Sequence, residues 1–373
     1  MLKTTNFNSF HPHFLLGTYS PHFVMTETTG LPKEQPIRVV VYSSKRYERD
    51  FLHKNPQIAK IAPNVQLEFL APRLDANTAS LAAGAQAVCI FVNDSADAAA
   101  IETLAKNGTK CLLLRCAGFN QVDLKAAKAY GVTVLRVPQY SPYAVAEFAV
   151  ALLLTIVRKT HKAYNRTRES NFALNGLLGF DIHGKTVGVC GTGNIGLLFA
   201  KIMLGFGARV IGYDLYPSDA AREMGVEYVS YDELLAQSDV ISLHCPLFPS
   251  TRHMINAAAI EKMKRGVILI NTSRGELVDK NALIYGLRRG IIGGCGMDVI
   301  EGEEELFFDD HTGEILEDEK ILTLQSLPNV LITPHIAFCT DTAISNIWTA
   351  TYQNVLAYTE RNRDAPLKNQ VRM

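Results

Sequence analysis

The stretch from Lys185 to Asp214, KTVGVCGTGNIGLLFAKIMLGFGARVIGYD, constrains this chain more than any other. A β-branched run, Thr186 to Cys190, enters a glycine triplet, Gly191, Gly193 and Gly196. A helical segment follows, then a second apolar run, Val210 to Tyr213, that ends on Asp214. This is a strand–turn–helix–strand unit with a dinucleotide-binding fingerprint in its first turn. Its glycines serve a tight turn, close backbone approach to a pyrophosphate and close helix–strand packing. The helix N-terminus, opened by Asn194 and Ile195, offers unpaired N–H groups and a positive dipole end to phosphates. Asp214, about 18 residues past Gly196, stands where a carboxylate hydrogen-bonds the adenosine ribose. That carboxylate repels a 2′-phosphate, and Leu215 and Tyr216 follow it rather than arginine, so NAD is expected over NADP.

A chain of 373 residues exceeds one typical core, so two domains are expected. Thirty-seven basic residues balance 37 acidic ones, with no dense basic run, which argues against a nucleic-acid partner. Charges and glycines interrupt the apolar stretches well short of a membrane span. The seven cysteines are scattered without a CxxC pair, and several fall in strand-like runs, which reads as buried, reduced thiols and a cytoplasmic protein. Residues 1–36 match neither a secretory signal nor a transit peptide and are expected to be a disordered extension. Their histidines, His11, His13 and His22, lack the spacing of a structural metal site, and no metal is expected.

From Ile37 onward strand and helix signals alternate. Apolar runs at Ile37–Tyr42, Val65–Leu70, Ala87–Val92, Cys111–Leu114 and Val132–Val137, with alanine-rich helical stretches between them (Ala79–Ala85, Leu124–Tyr130), predict a parallel α/β domain. Ser141-Pro142 is a helix start, and the apolar helix Tyr143–Lys162 is expected to join this domain to the next. Further strands are predicted at Val240–Leu243, Val267–Asn271, Gly294–Met297 and Val330–Thr333. The last helix, Thr340–Tyr358, is too short to be a domain and is expected to return to the first. The predicted fold is therefore α/β, two doubly wound, Rossmann-like parallel-sheet domains with an active-site cleft between them. The expected boundaries are 37–140 with 335–373 for the substrate domain, and 141–334 for the NAD-binding domain with its linking helix.

Three polar groups fall at strand ends in the second half: Arg274 after Val267–Asn271, Asp298 after Gly294–Met297 with glutamates at 301 and 303–305 beyond it, and His335 after Val330–Thr333. Ligands of open α/β sheets bind at these carboxyl ends. A guanidinium grips a carboxylate bidentately, and a histidine moves a proton when a carboxylate orients it. With NAD, this set suggests hydride transfer beside a carboxylate, the chemistry of 2-hydroxy and 2-oxo acids. Each residue also has a structural alternative. Arg274 could cap its strand, His244 could be a core histidine, and most of the glutamate run could be solvated surface. His253 and His311, in polar loops, are read as bystanders.

Taken in order, GTGNIG, HCPL, NTSRGELVD, GMDV and NVLITPHIAF resemble the D-isomer-specific 2-hydroxyacid dehydrogenases over nearly the whole chain from Ile37. Phe307-Phe308-Asp309-Asp310-His311-Thr312-Gly313 resembles an insertion of the fermentative D-lactate enzymes, as do Phe91-Val92-Asn93-Asp94 and Arg115 to Asn120. The resemblance implies that Arg274 binds the substrate carboxylate and that His335 is the acid–base catalyst. Glu303 would pair with His335, with Glu301 or Glu304 open as alternatives because Ile300 and Gly302 depart from the usual pattern. Ala117 and Gly118 would offer backbone N–H groups to the substrate, Tyr140 would line the pocket, and Phe338 would face the substrate side chain. His244, Cys245, Pro246 and Thr272 would line the cofactor side, and Asp298 would contact the nicotinamide end. Pyruvate and D-lactate are the implied substrates, and a homodimer the implied assembly. A sister enzyme for bulkier 2-oxo acids and an NAD-sensing corepressor remain alternatives, while phosphoglycerate and formate dehydrogenases fit the motifs less well.

Overall fold

The computed structural model describes residues 36–360 and 367–372, so all but the last residue of the N-terminal extension lies outside the described residues. Strands β1 (Ile37–Val41), β2 (Val65–Phe69), β3 (Ala87–Ile90), β4 (Cys111–Leu114) and β5 (Thr133–Arg136) form a parallel sheet in the order β2-β1-β3-β4-β5. The central strands β3 and β4 are buried throughout, as expected of parallel strands covered on both faces. The edge strand β2 alternates between half-buried and exposed residues.

A second parallel sheet contains β6 (Thr186–Cys190), β7 (Arg209–Tyr213), β8 (Glu227–Tyr228), β9 (Val240–Leu243), β10 (Val267–Asn271), β11 (Ile292–Met297) and β12 (Val330–Ile332). Its order is β12-β11-β10-β9-β6-β7-β8, so the winding reverses between β6 and β9. That reversal opens a crevice at the carboxyl ends of the strands, directly at the glycine-rich turn. The two-residue β8 has no counterpart in the sequence reading, because so short an edge strand carries no periodic signal.

Helix Pro142–Arg158 starts as its sequence dictates: Ser141 Oγ accepts the Ala144 N–H at 3.2 Å, and proline occupies the first turn. Its apolar side packs Ala146, Ala149, Val150 and Leu153 into a core shared with Phe199 and Met203. The expected continuous helix to Lys162 is instead broken at Lys159, which adopts φ +54° before a second helix, Thr160–Arg168. The break is tertiary in origin. Lys159 Nζ donates to the Gly176 carbonyl at 3.1 Å, and the returning chain packs so closely that a Cβ on Gly179 would lie 2.2 Å from the Val157 carbonyl oxygen.

The final helix, Asp341–Glu360, places Ile344, Trp348, Tyr352 and Val355 on one face. They pack against Val39, Val41, Cys89 and Leu113 of the first sheet, and Gln370 then bridges to Leu135 on β5. No helix among the described residues is long and apolar enough to cross a membrane. The seven cysteines are all free, but only four are buried; Cys116 and Cys245 are half-buried and Cys339 is exposed, contrary to the expectation of uniformly buried thiols. Cys339 follows the last strand on a surface turn rather than lying within a strand.

Candidate active site

The dinucleotide side forms where β6 ends. Gly191 has φ +89°, and a Cβ there would lie 2.6 Å from the Cys245 backbone nitrogen. A Cβ on Gly196 would lie 1.9 Å from the Gly191 carbonyl oxygen, so the first helical turn can rest on the loop only through glycine. Gly193 faces open space, with nothing within 4 Å of where its Cβ would be. That open space lies at the start of helix Asn194–Gly205, where unpaired N–H groups suit a phosphate. Asp214 ends β7 and braces the loop: Oδ2 accepts the Thr192 N–H at 2.6 Å and Oδ1 accepts that of Tyr216 at 2.9 Å.

A cleft of about 510 Å³ is lined by Gly191, Gly193, Asp214, His244, Cys245 and Pro246 among others. His244 packs on Phe199, with centroids 5.0 Å apart, and its Nε2 pairs with Ser242 Oγ at 2.8 Å. Burial pushes its pKa down to about 3, which keeps the ring neutral across the physiological range. Thr272 Oγ1 and His244 Nδ1 are buried without a hydrogen-bond partner among the described residues. Orphaned polar atoms, an open helix N-terminus and a carboxylate at the end of β7 together fit NAD.

The second cavity, about 470 Å³, is lined by Asn93, Gly118, Arg274, Glu303, Phe308 and His335 among others. Arg274 leaves β10 through a turn in which Asn271 Nδ2 donates to the Arg274 carbonyl at 2.8 Å. Gly118 makes room for its side chain, and Gly275 for the close approach of the chain at Ile300. A Cβ on Gly118 would lie 3.0 Å from Arg274 Nη2, and one on Gly275 would lie 2.2 Å from the Ile300 carbonyl carbon. Ala117, beside Gly118, is tied down by Arg136 Nη1, which donates to its carbonyl at 2.8 Å.

Across the cavity, His335 Nδ1 pairs with Glu303 Oε1 at 2.6 Å, while Glu303 Oε2 accepts the Ile300 N–H at 2.6 Å. Glu301 is engaged otherwise, pairing with His253 Nε2 at 2.7 Å and Arg252 at 3.3 Å. Glu304 is exposed and also lines the cavity, and desolvation pushes its carboxyl up. The structure thus brings Glu303, of the three glutamates left open by the sequence, to the histidine. His253 is accordingly engaged and lines the dinucleotide-side cleft, and His311 pairs with Glu314.

Asp298 does not line either cavity: it is fully buried, and its carboxylate accepts the Thr333 hydroxyl at 2.5 Å and the Ile336 and Ala337 N–H groups at 2.9 and 2.8 Å. Burial pushes this carboxyl up, against the opposing pull of those hydrogen bonds. Its place is behind His335, where it shapes the loop that carries the imidazole. Tyr140 lies within electrostatic reach of Arg274 and Asp298. Its ring meets that of Phe338 at 6.3 Å, and Phe338 packs on Phe91 at 5.9 Å. Phe308 lines the cavity, from a segment whose double phenylalanine was legible in the sequence but whose destination was not.

A guanidinium, a carboxylate-paired imidazole and a dinucleotide crevice therefore lie beyond the carboxyl ends of strands of one parallel sheet, a set able to hold a carboxylate and move a proton beside a hydride carrier. A family model described as D-isomer specific 2-hydroxyacid dehydrogenase, NAD binding domain, matches residues 150–337. A D-lactate dehydrogenase of Escherichia coli (strain K12) is 47% identical over 330 residues, 88% of this chain and 99% of that protein. A 2-hydroxyacid dehydrogenase homolog of Schizosaccharomyces pombe is 47% identical over 88% of this chain and 98% of its own length. The solved pyruvate reductase of Chlamydomonas reinhardtii is 48% identical, with a TM-score of 0.83 over 90% of this chain and 99% of that one.

Proposed function

The chain belongs to the D-isomer-specific 2-hydroxyacid dehydrogenase family, whose NAD-binding domain it carries, and on that premise we propose that it is a D-lactate dehydrogenase reducing pyruvate reversibly. The observation that carries this reading is Arg274 facing the His335–Glu303 pair across one small cavity. In this reading residues 37–140 with the final helix form the substrate half, and residues 141–334 hold NAD at Gly191, Gly193, Asn194, Ile195, Gly196 and Asp214, with Thr272 and His244 to Pro246 alongside.

NADH, when bound, supplies the hydride to the substrate's C2. Arg274 takes the substrate carboxylate in a bidentate grip and stabilises negative charge as it develops on the neighbouring oxygen. His335 gives that oxygen its proton, and Glu303 holds the imidazole in the tautomer and direction that this requires. Ala117 and Gly118 present main-chain groups to the carboxylate from the other side. Closure between the two sheets excludes water during the transfer.

The test is NADH oxidation by the purified chain with pyruvate, 2-oxoisocaproate, hydroxypyruvate and phenylpyruvate, followed by chiral analysis of the product. Fast formation of D-lactate is the expected result. A preference for the branched acid would make this a D-2-hydroxyisocaproate-type enzyme with the same residue roles. NADH binding without turnover of any 2-oxo acid would instead favour a sensor.

A further inference from the structure

Phe308 belongs to the segment between β11 and helix Glu319–Ser326, yet its ring reaches across to the half that carries the first sheet. It packs edge-on against Phe91, with centroids 5.0 Å apart and planes at 75°, and lies 5.7 Å from the His335 ring. Its backbone holds φ +72°, a left-handed conformation that a phenylalanine adopts only when its surroundings impose it. The imposing contact is one residue away. The Asp309 carboxylate accepts Lys45 Nζ at 2.7 Å and also takes the Arg73 guanidinium. Arg73 Nη1 donates further to the Glu304 carbonyl at 2.6 Å. Lys45 follows β1 and Arg73 follows β2, so this cluster joins the two halves beside the cavity.

The geometry points to Phe308 as the residue that limits the size of the substrate's C2 substituent, held in place by the Asp309 ion-pair cluster. This rests on the reading of the site as a 2-oxo acid reductase. With the carboxylate on Arg274 and the carbonyl oxygen on His335, the remaining substituent at C2 enters the rest of the cavity, whose large apolar lining residues are Val92 and Phe308. The Phe308 ring has Phe91 behind it, with the Arg115 guanidinium 4.9 Å from the Phe91 ring centre. A methyl group fits against such a wall, whereas a branched or aromatic substituent requires the ring to move. Asp309 touches no substrate in this account; it is a positioning residue, acting through the backbone of Phe308.

The experiment compares kcat/KM for 2-oxoisocaproate and pyruvate in the unaltered chain, in Phe308→Ala, Phe308→Leu and Asp309→Asn. Phe308→Ala should raise the ratio of the branched acid to pyruvate about tenfold or more, the scale on which a pocket discriminates added methylenes. Phe308→Leu keeps an apolar wall and should give an intermediate ratio, which preserves the test if alanine destabilises the fold. Asp309→Asn should move the ratio in the same direction by less. Roughly 0.5 M KCl, which screens exposed ion pairs, should reproduce that shift in the unaltered chain and add nothing in Asp309→Asn. A purely structural role would lower kcat/KM for both acids alike and leave the ratio fixed. Turnover with an unmoved ratio in both Phe308 variants overturns the inference alone; an unaltered chain inert toward every 2-oxo acid overturns it together with the reading of the site.

Discussion

His335 has φ +55°, a backbone conformation that histidine seldom adopts, and the reason is Asp298. The Asp298 carbonyl accepts the His335 N–H at 2.8 Å, while its carboxylate holds Thr333, Ile336 and Ala337 on either side. Asp298→Asn would turn an amide N–H toward one of those donors. We expect kcat to fall about tenfold to a hundredfold, the effect of an ångström-scale misplacement, with NADH affinity little changed. Steady-state kinetics with NADH titration checks this; an unchanged kcat would remove Asp298 from the positioning of His335. Arg274→Lys replaces a planar fork by a point charge at the wall beside Gly118. The loss of one charge-assisted hydrogen bond is worth about 1.5–3 kcal/mol, roughly 10- to 150-fold in kcat/KM for pyruvate. Near-normal turnover of this variant would mean that the substrate carboxylate is held elsewhere.

Among the elements, the glycine-rich turn and its helix were legible because each glycine answers a local demand. Gly196 shows how strict that demand is, since the atom a Cβ would strike is the main-chain oxygen of Gly191. Gly196→Ala must therefore displace the helix start from the loop. NADH affinity, followed by nucleotide fluorescence, is expected to fall at least about tenfold, corresponding to about 1.4 kcal/mol or more. Retained affinity would show that the helix N-terminus does not hold the pyrophosphate. The capped start of helix Pro142–Arg158 was legible for the same local reason, through Ser141 and Pro142. Its end was not. No glycine or proline marks Lys159, and the turn there depends on Gly176 and Gly179, which approach only once the chain has folded back.

Over the whole molecule, the Asp309 cluster joins the halves between which the reaction is placed. Burial pushes the Asp309 carboxyl up, but the hydrogen bonds and charges of Lys45 and Arg73 outweigh it and hold the group below the usual aspartate range. A carboxyl depressed in the folded state contributes stability that is full above its unfolded pKa and is lost as pH falls through the lowered folded value. The Asp309 carboxyl should therefore stay ionised between about pH 5 and pH 8, and the ratio of 2-oxoisocaproate to pyruvate turnover should be flat over that window while responding to salt. A ratio that changed with pH there would place its control on another group. The sequence by itself determined the α/β class, the dinucleotide turn and the delivery of Arg274 and His335 to strand ends, because apolar periodicity, glycine and chain order are local properties. It did not determine which glutamate meets His335, that Asp298 turns inward, or that Phe308 lines the cavity. Nor could it show that Asp309 meets Arg73 across 236 positions of sequence. These depend on where distant segments come to rest, and only the tertiary structure decided them.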